Sequence, residues 1–441
     1  ASSTRLVEYR YSAEGDLSEV VDDQGQVVRT FRYAAGQMVE QGEPGGVSVQ
    51  YDWDQLSPKG RVLCARSSLG EVQRFAYDAL TRETRVVDSE GRVAVYRYDD
   101  QQHLIALTAP DGTQTLYQRD IHGNLLSVTD PLGRVTRHSY DGRGNLIRVE
   151  QPDGADWNLR YPPQHRKPVQ ITDPLGQRTL FEFDARGNLI QSQTADGAIT
   201  RYTLDAQGRP VHVLDARGGE SILQYDAAGR LVSRRDCVGS TTRFEYDRRG
   251  NLLRVTDALG GITHYQYQRL NRRDRVVAMT HPDGAVERFA YDPLGRLIAR
   301  HDPQGHATRY VLDPAGRPIA RENALGHRLA YQYDRHGRLA TLTNENGALY
   351  RFGWDAADRL ISEQGFDARR IDYRYNAAGE LIESADGVPY GAEWMAPRAP
   401  GVLRCHYQRD AMGRLMEKVA VRAAEPTGTN ASSRAGAGAA A

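Results

Sequence analysis

Apolar and polar residues alternate over short stretches of the chain, and turn residues separate these stretches. Tyrosine, leucine or isoleucine stand two residues apart in 263–267, 329–333 and 371–375. A period of two places such residues on one face of a β-strand. The intervals between turns are too short for helices of average length, and β-branched and aromatic residues fill them. The pattern therefore predicts an all-β chain.

Two kinds of turn recur, so that the chain turns about every ten residues. The first kind reads Tyr-Asp-x-x-Gly, then Arg or Asn, then Leu, as in 225–231, 246–252 and 333–339. The second lies halfway along the repeat and reads Asp-x-x-Gly, as in 173–176 and 257–260. We call them the Tyr-Asp turn and the mid-repeat turn. The aspartate can bond its own backbone, and the glycine accepts the positive φ that ends the turn.

The spacing of the Tyr-Asp turns defines the repeat. These turns begin at 204, 225, 246 and 267, and again at 291, 312, 333, 354 and 375. Strands joined by short turns run antiparallel, and one hairpin alone is marginally stable. Neighbouring hairpins stabilise one another by joining edge to edge. We therefore predict a repeat array of antiparallel β-hairpins, about 21 residues each, forming a long, twisted and spiralling sheet.

The regularity of the repeat divides the chain into four predicted regions. Residues 1–130 carry degenerate repeats, in which the copies at Tyr77 and Tyr98 keep Tyr-Asp but lose the glycine. Residues 131–385 carry the regular repeats. Residues 386–421 are predicted to be an irregular segment with a last partial repeat. Residues 422–441 are rich in Ala, Gly and Ser, cannot bury a core, and are predicted to be disordered.

Composition removes several classes of function. Lys+Arg and Asp+Glu both number 57, so no net field attracts nucleic acid or an anionic membrane. Cys64, Cys237 and Cys405 lie far apart and suggest neither a disulfide framework nor a zinc site. No apolar run approaches the ~18 residues that span a bilayer. The chain starts at Ala1 without a signal segment, and we expect it to be part of a longer polypeptide.

No pattern of catalytic or ligand-binding residues emerges from the motifs. The turn aspartates are explained by their turns, because calcium would need several oxygens converging in one loop. His301 and His306 flank a mid-repeat turn and could face each other, but they lack metal-ligand spacing. Nucleophile-elbow, zinc-protease and phosphate-loop patterns do not occur. We therefore predict no catalytic, cofactor-binding or metal site and no cofactor.

The repeats resemble the YD repeats of the Rhs family, which also occur in bacterial wall-associated proteins and animal teneurins. The pattern Tyr-Asp-x-x-Gly-Arg-Leu, then Asp-x-x-Gly, then Thr-x-x-Tyr-x-Tyr-Asp matches most of residues 5–385. The resemblance implies a β-strand spiral that closes into a hollow shell around a C-terminal toxin. It also implies export by type VI secretion or another contact-dependent system, with secretion-spike proteins as possible partners.

The sequence departs from the family pattern at three points. Rhs cores end in a Pro-x-x-x-x-Asp-Pro-x-Gly-Leu self-cleavage motif. Here 168–176 fits most of that motif, but Gln177 follows it and it lies within the array, so we interpret it as an ordinary repeat. We also expect neither a toxin-sized segment after the repeats nor a spike-docking domain before them.

Three hypotheses about function follow. The first is a non-catalytic shell segment of an Rhs-type secreted toxin, which encapsulates or carries a toxin domain for delivery to competitor cells. The second is a cell-surface or wall-associated protein that binds carbohydrate or a protein partner through exposed tyrosines. The third, an enzyme, would need an active site in an irregular segment such as 386–406 around Trp394.

Overall fold

The computed structural model describes residues 7–23, 25–270, 273–387 and 402–422. The chain divides into two compact units, Ala1–Ala348 (unit 1) and Leu349–Ala441 (unit 2). Within the described residues both units contain β-strands and no helix. The predicted all-β hairpin array is therefore confirmed. The segment around Trp394 and the tail from residue 423 lie outside the described residues.

In unit 1 the residues that the structure describes form 32 strands. They are β1 (Val7–Tyr11), β2 (Leu17–Asp22), β3 (Val27–Ala34), β4 (Gln37–Gly42), β5 (Ser48–Trp53), β6 (Val62–Ser67), β7 (Val72–Asp78), β8 (Glu83–Val87), β9 (Val93–Tyr98), β10 (Leu104–Thr108), β11 (Gln114–Arg119), β12 (Leu125–Thr129), β13 (Val135–Tyr140), β14 (Leu146–Glu150), β15 (Asp156–Arg160), β16 (Gln170–Thr172), β17 (Arg178–Phe183), β18 (Leu189–Gln193), β19 (Ile199–Leu204), β20 (Pro210–Leu214), β21 (Glu220–Tyr225), β22 (Leu231–Arg235), β23 (Thr241–Tyr246), β24 (Leu252–Thr256), β25 (Ile262–Leu270), β26 (Arg273–Thr280), β27 (Val286–Tyr291), β28 (Leu297–His301), β29 (Ala307–Leu312), β30 (Pro318–Glu322), β31 (Arg328–Tyr333) and β32 (Leu339–Thr343).

The described residues of unit 2 form six strands, β33 (Leu349–Trp354), β34 (Leu360–Gln364), β35 (Arg370–Tyr375), β36 (Leu381–Asp386), β37 (Leu403–Arg409) and β38 (Leu415–Arg422). Within each unit every strand pairs antiparallel with the strand before and after it in the sequence, as β21 does with β20 and β22 and as β35 does with β34 and β36. The Tyr-Asp turns therefore lie along one edge of a unit's sheet and the mid-repeat turns along the other.

The two kinds of hairpin differ in register. Across a Tyr-Asp turn, Tyr225 pairs with Leu231 but Gln224 pairs with Ser233, so the ladder contains a β-bulge. Across the next mid-repeat turn the ladder from Ser233 to Arg235 is regular. A bulge bends its strand and increases the local twist. The sheet is therefore bent near the Tyr-Asp turn in most repeats, although the β2–β3 hairpin has a bulge beside a mid-repeat turn and the β7–β8 hairpin has none.

Most Tyr-Asp and mid-repeat turns of both units share one geometry. At Asp226, the Gly229 N–H donates to the Asp226 carbonyl at 3.0 Å, and the Asp226 N–H donates to the Arg230 carbonyl at 2.9 Å. Gly229 has a φ of +83°. This is the three-residue hairpin loop, a turn followed by a residue in the left-handed region. The degenerate turn at Asp99 keeps it without glycine, since the Gln102 N–H donates to the Asp99 carbonyl at 3.2 Å and Gln102 has a φ of 64°.

Large side chains remain half-buried in this single-layered architecture. The buried apolar residues of the described chain are all valine, alanine or cysteine, for example Val21, Ala106 and Cys64. Aromatic residues pack beside aliphatic ones on the neighbouring strand, as where Phe244 pairs with Val255. Contacts along the sheet surface therefore stabilise the fold in place of a closed core.

Candidate functional site

A hydrogen-bonded ladder runs along the edge that carries the Tyr-Asp turns. In the copy at Asp226, carboxylate Oδ1 accepts the N–H groups of Ala228 and Arg230, both at 2.9 Å. Carboxylate Oδ2 accepts Nε of Arg230 at 2.6 Å. These bonds to the ionised form lower the pKa of Asp226, and the Arg230 N–H contributes most. The aspartate therefore fixes the turn and orients the arginine.

The arginine connects one repeat to the next. Arg230 donates from Nη1 to the carbonyl of Asp247 at 2.6 Å. Its guanidinium lies 5.0 Å from the ring centre of Tyr246, which is a cation–π contact. Four further pairs in the two units repeat this arginine–tyrosine contact, namely Arg61–Tyr77, Arg209–Tyr225, Arg317–Tyr333 and Arg359–Tyr375. The repeat arginine is thus a structural link between neighbouring hairpins.

The tyrosine hydroxyl makes the third connection of the ladder. Tyr246 donates to the carbonyl of Leu231, fifteen residues earlier, at 2.9 Å. The same bond recurs from Tyr77, Tyr140, Tyr225, Tyr267, Tyr291, Tyr333 and Tyr375. Burial raises the pKa of Tyr291 and Tyr333. Tyrosine rather than phenylalanine is favoured here because its hydroxyl satisfies a backbone carbonyl of the preceding repeat.

The candidates singled out from the sequence occupy ordinary turns. Asp173 closes a mid-repeat turn, accepting Leu175 N–H at 2.9 Å and Gln177 N–H at 2.8 Å through Oδ1. His306 lies 3.0 Å from Asp302 within the same turn, whereas His301 pairs across the sheet with Ala307. The two histidines are therefore not brought face to face. Among the described residues, no group of His, Cys, Asp and Glu side chains could hold a metal ion.

Unit 2 contains a polar cluster on its aromatic face. The Glu363 carboxylate accepts the hydroxyls of Tyr350 at 2.7 Å and Tyr373 at 2.5 Å. Burial, reinforced by this carboxylate, raises the pKa of Tyr350 to about 12 and also raises that of Tyr373. Both phenols are therefore protonated at neutral pH. They donate their hydroxyl hydrogens to the carboxylate.

The most distinctive arrangement is a seam within unit 1, where two turns far apart in the sequence meet. Asp23, next to β2, lies 3.2 Å from Arg249 and 3.3 Å from Arg269, contacts that span 226 and 246 residues. Its side chain is only 6% exposed. Asp274 lies 3.4 Å from Arg249 and 3.2 Å from Arg269. Two carboxylates and two guanidinium groups therefore alternate around one cluster, which we call the seam lock.

A second contact repeats the same geometry further along unit 1. His336, in a Tyr-Asp turn, lies 3.1 Å from Glu90 and 3.7 Å from Asp88, which belong to a mid-repeat turn. The first contact joins the β2–β3 turn to the β25–β26 hairpin, and the second joins the β8–β9 turn to the β31–β32 turn. The Asp23–Arg269 and His336–Glu90 contacts therefore connect turns 23 strands apart, and the Asp23–Arg249 contact connects turns 21 strands apart. The sheet of unit 1 therefore curves until mid-repeat turns near its start contact Tyr-Asp turns further along the same sheet.

The hairpin at the seam lock is irregular. Strand β25 has nine residues and β26 has eight, and their ladder continues to the pair Leu270–Arg273. Gln268 stands where other repeats have the turn aspartate. Sequence analysis missed this site, although a signal existed: the interval between the turns at 267 and 291 is longer than 21 residues. The additional residues extend the hairpin and supply Arg269 and Asp274 to the lock.

Comparison with known proteins relates the chain to one family. The sequence model of the RHS Repeat family matches ten overlapping segments, 98–135, 120–156, 161–199, 183–220, 225–262, 246–286, 271–307, 291–328, 313–349 and 333–370. In the described part of the chain, no helix is long and apolar enough to cross a membrane.

Two curated relatives are bacterial toxins. The chain is 44% identical over 93 residues to Toxin protein Tse5 of Pseudomonas aeruginosa, and 38% identical over 95 residues to Double-stranded DNA deaminase toxin A of Burkholderia cenocepacia. These matches cover 21% and 22% of this chain, and 7% of each relative. The chain thus matches only a small part of each relative's length.

Two solved structures share the fold. TcdB2-TccC3 without its hypervariable C-terminal region gives a TM-score of 0.58 at 16% identity, over 92% of this chain and 23% of that one. The complex TcdB2-TccC3-Cdc42 gives a TM-score of 0.57 at 16% identity, with the same coverage. At this identity the likeness describes the fold alone.

Proposed function

Because the chain belongs to the RHS repeat family, we propose that it is a non-catalytic wall segment of a secreted bacterial toxin, which encloses or carries a toxic domain for delivery to competitor cells. The observation that carries this proposal is the seam of unit 1. A sheet whose opposite edges meet through Asp23, Arg249 and Arg269 is a wall that curves back on itself. Such a wall can separate an inner space from the solvent.

Two further observations support a wall rather than an enzyme. The polar groups of the ladder are engaged with one another, as in the Asp226–Arg230 pair and the Tyr246–Leu231 bond. The relatives are named as toxins, and one solved neighbour is described by its hypervariable C-terminal region. A constant wall that carries a variable toxic domain accounts for the toxin names of the relatives and for the hypervariable region of the neighbour. Export by type VI secretion or another contact-dependent system, with spike proteins as partners, belongs to this proposal.

Carbohydrate binding through the repeat tyrosines has less support. Stacking on a sugar needs a free aromatic face, but an arginine lies over the ring of Tyr225, Tyr246 and Tyr333. The hydroxyls of the same residues are bonded to backbone carbonyls.

The proposal is tested on the full-length gene product that contains these residues. Negative-stain microscopy is expected to show a hollow, curved wall, and limited proteolysis is expected to spare the toxic domain while the wall is closed. The variant Asp23→Ala, which opens the seam lock, is expected to make that domain accessible to protease. A solid rod, or a toxic domain cut equally fast in both proteins, would contradict the proposal.

A further inference from the structure

A basic cavity lies in unit 1 between the two edges of the sheet that meet at the seam. Its volume is 770 Å³, within the range of small-molecule sites. One side is formed by β3 to β5 and includes Arg29 and Glu43. The other side is formed by β26 and the following Tyr-Asp turns, and includes Arg273, Arg275 and Arg296. Four arginines and one glutamate therefore line a space that belongs to two remote parts of the chain.

Two of the four arginines are engaged by protein groups. Arg29 donates to Glu43 at 3.1 Å. Arg296 donates to Asp292 at 2.6 Å and to the carbonyl of Pro314 at 3.0 Å. The charges of these two arginines are balanced by carboxylates within the protein.

The other two arginines have no carboxylate partner among the residues that the structure describes. Arg275 is the ladder arginine of the irregular repeat, where Gln268 replaces the usual aspartate. Its Nε atom is buried without a hydrogen-bond partner, 3.2 Å from the position a Cβ would occupy on Gly295. The neighbouring Asp274 is bonded to Arg249 and Arg269 instead.

An uncompensated positive site of this kind favours a particular ligand. A buried donor without a partner, such as Nε of Arg275, is costly, and two neighbouring arginines without a carboxylate attract an anion. The guanidinium fork matches the oxygens of phosphate and carboxylate groups and binds them by two parallel hydrogen bonds. The cavity is large enough for a molecule with more than one such group. The chemistry therefore favours a multivalent oxyanion.

We propose that unit 1 binds a multivalent oxyanion, of the phosphate or carboxylate class, in this cavity through Arg273 and Arg275. Arg29 approaches the same space from the opposite edge of the sheet. A bound oxyanion contacts both sides of the seam and stabilises its closed form, because a ligand that binds only the closed arrangement shifts the equilibrium toward it. This inference concerns a ligand of the wall and holds whether or not the wall encloses a toxin.

The test uses the purified chain with two probes, tripolyphosphate and citrate, measured by isothermal titration calorimetry and thermal denaturation. Sodium chloride at matched ionic strength serves as the reference, since general screening affects all surface charges. We expect saturable binding of at least one probe and a rise in Tm beyond that in sodium chloride. Binding of tripolyphosphate alone assigns the phosphate class, and binding of citrate alone assigns the carboxylate class.

Variants locate the binding. The change Arg273→Gln with Arg275→Gln is expected to weaken binding by about tenfold or more, since hydrogen bonds to charged groups contribute about 1.5–3 kcal/mol each. Arg273→Gln alone should leave folding unchanged, because Arg273 is exposed and lies outside the ladder. Arg243→Gln, an exposed arginine on β23, is the matched control and should bind as the unchanged protein does.

Two results would overturn the proposal. One is the absence of saturable heat with both probes. The other is equal affinity in the Arg273→Gln, double and Arg243→Gln variants, with circular dichroism showing that each is folded. Either result would leave the proposed wall function unaffected, so failure of the two proposals can be told apart.

Discussion

The ladder and the seam lock of unit 1 use the same chemistry over very different distances along the chain. In the ladder, Asp226 binds an arginine four residues away. In the seam lock, Asp23 binds Arg249 and Arg269, more than 200 residues away. The ladder recurs in repeat after repeat, whereas the lock depends on one irregular hairpin. Ion pairs between residues close in sequence thus stabilise each repeat. A few ion pairs between remote residues determine which turns of the sheet come into contact.

Acid should have the largest effect, because it acts on many copies of the ladder at once. The pKa of Asp205 is lowered chiefly by the Arg209 side chain, and that of Asp226 chiefly by the Arg230 N–H. A lowered folded-state pKa gives stability that is present above the unfolded value of about 3.9 and lost as pH falls through the folded value. We expect cooperative loss of β-structure below about pH 4 by circular dichroism. Unchanged spectra down to pH 2 would show that the carboxylates do not hold the ladder.

The next largest effect is expected for Asp23→Ala, which removes one of the two carboxylates of the seam lock and leaves Asp274 alone to balance Arg249 and Arg269. Breaking a largely buried ion pair should cost about 2–4 kcal/mol in the stability of the seam. Hydrogen exchange should accelerate both near residue 23 and in β25 and β26. The matched control is Asp100→Ala, an exposed aspartate at the same position of a turn away from the seam. Equal hydrogen-exchange rates in the Asp23→Ala and Asp100→Ala variants would show that Asp23 contributes no more than an ordinary turn aspartate.

A single turn of the ladder is tested by Gly229→Val. Gly229 has a φ of +83°, and an added Cβ would lie 3.0 Å from Nη1 of Arg209. A β-branched residue in the left-handed region should cost about 1–3 kcal/mol, measured by urea denaturation. Gly142→Val is the control, because a Cβ on Gly142 meets no atom within 4 Å and its φ is not positive. If the two variants were equally stable, the assigned turn geometry would be incorrect.

The smallest effect is expected for Asp226→Asn. Natural turns with asparagine keep both N–H bonds, as Asn344 does with Asn346 and Ala348. The variant should therefore lose only its pairing with Arg230, which is partly exposed and screened by solvent. Its Tm should fall by less than that of Gly229→Val. A larger fall would mean that the ion pair, rather than the turn, is the main contribution of this aspartate.

The hairpins were predictable from sequence because each turn is encoded by residues close together in the chain. Asp226 and Gly229 each have a local reason for their type, and even Gln102 keeps the geometry without glycine. The Tyr246–Leu231 bond was not predicted, since it depends on the register between the neighbouring strands β22 and β23. The seam lock could not be deduced either. Which turns meet after 23 strands depends on the accumulated bend of the sheet, and small changes per repeat add up.

The number 23 has a geometric consequence for unit 1. Successive turns of a meander alternate between its two edges, so an odd number of strands is needed to bring one edge against the other. A strip whose opposite edges meet advances by its own width, about 20 Å for six residues, with each circuit, like the thread of a screw. A helical strip of this kind has no joint that closes it. Whole repeats can therefore be added at its ends while the advance per circuit stays constant.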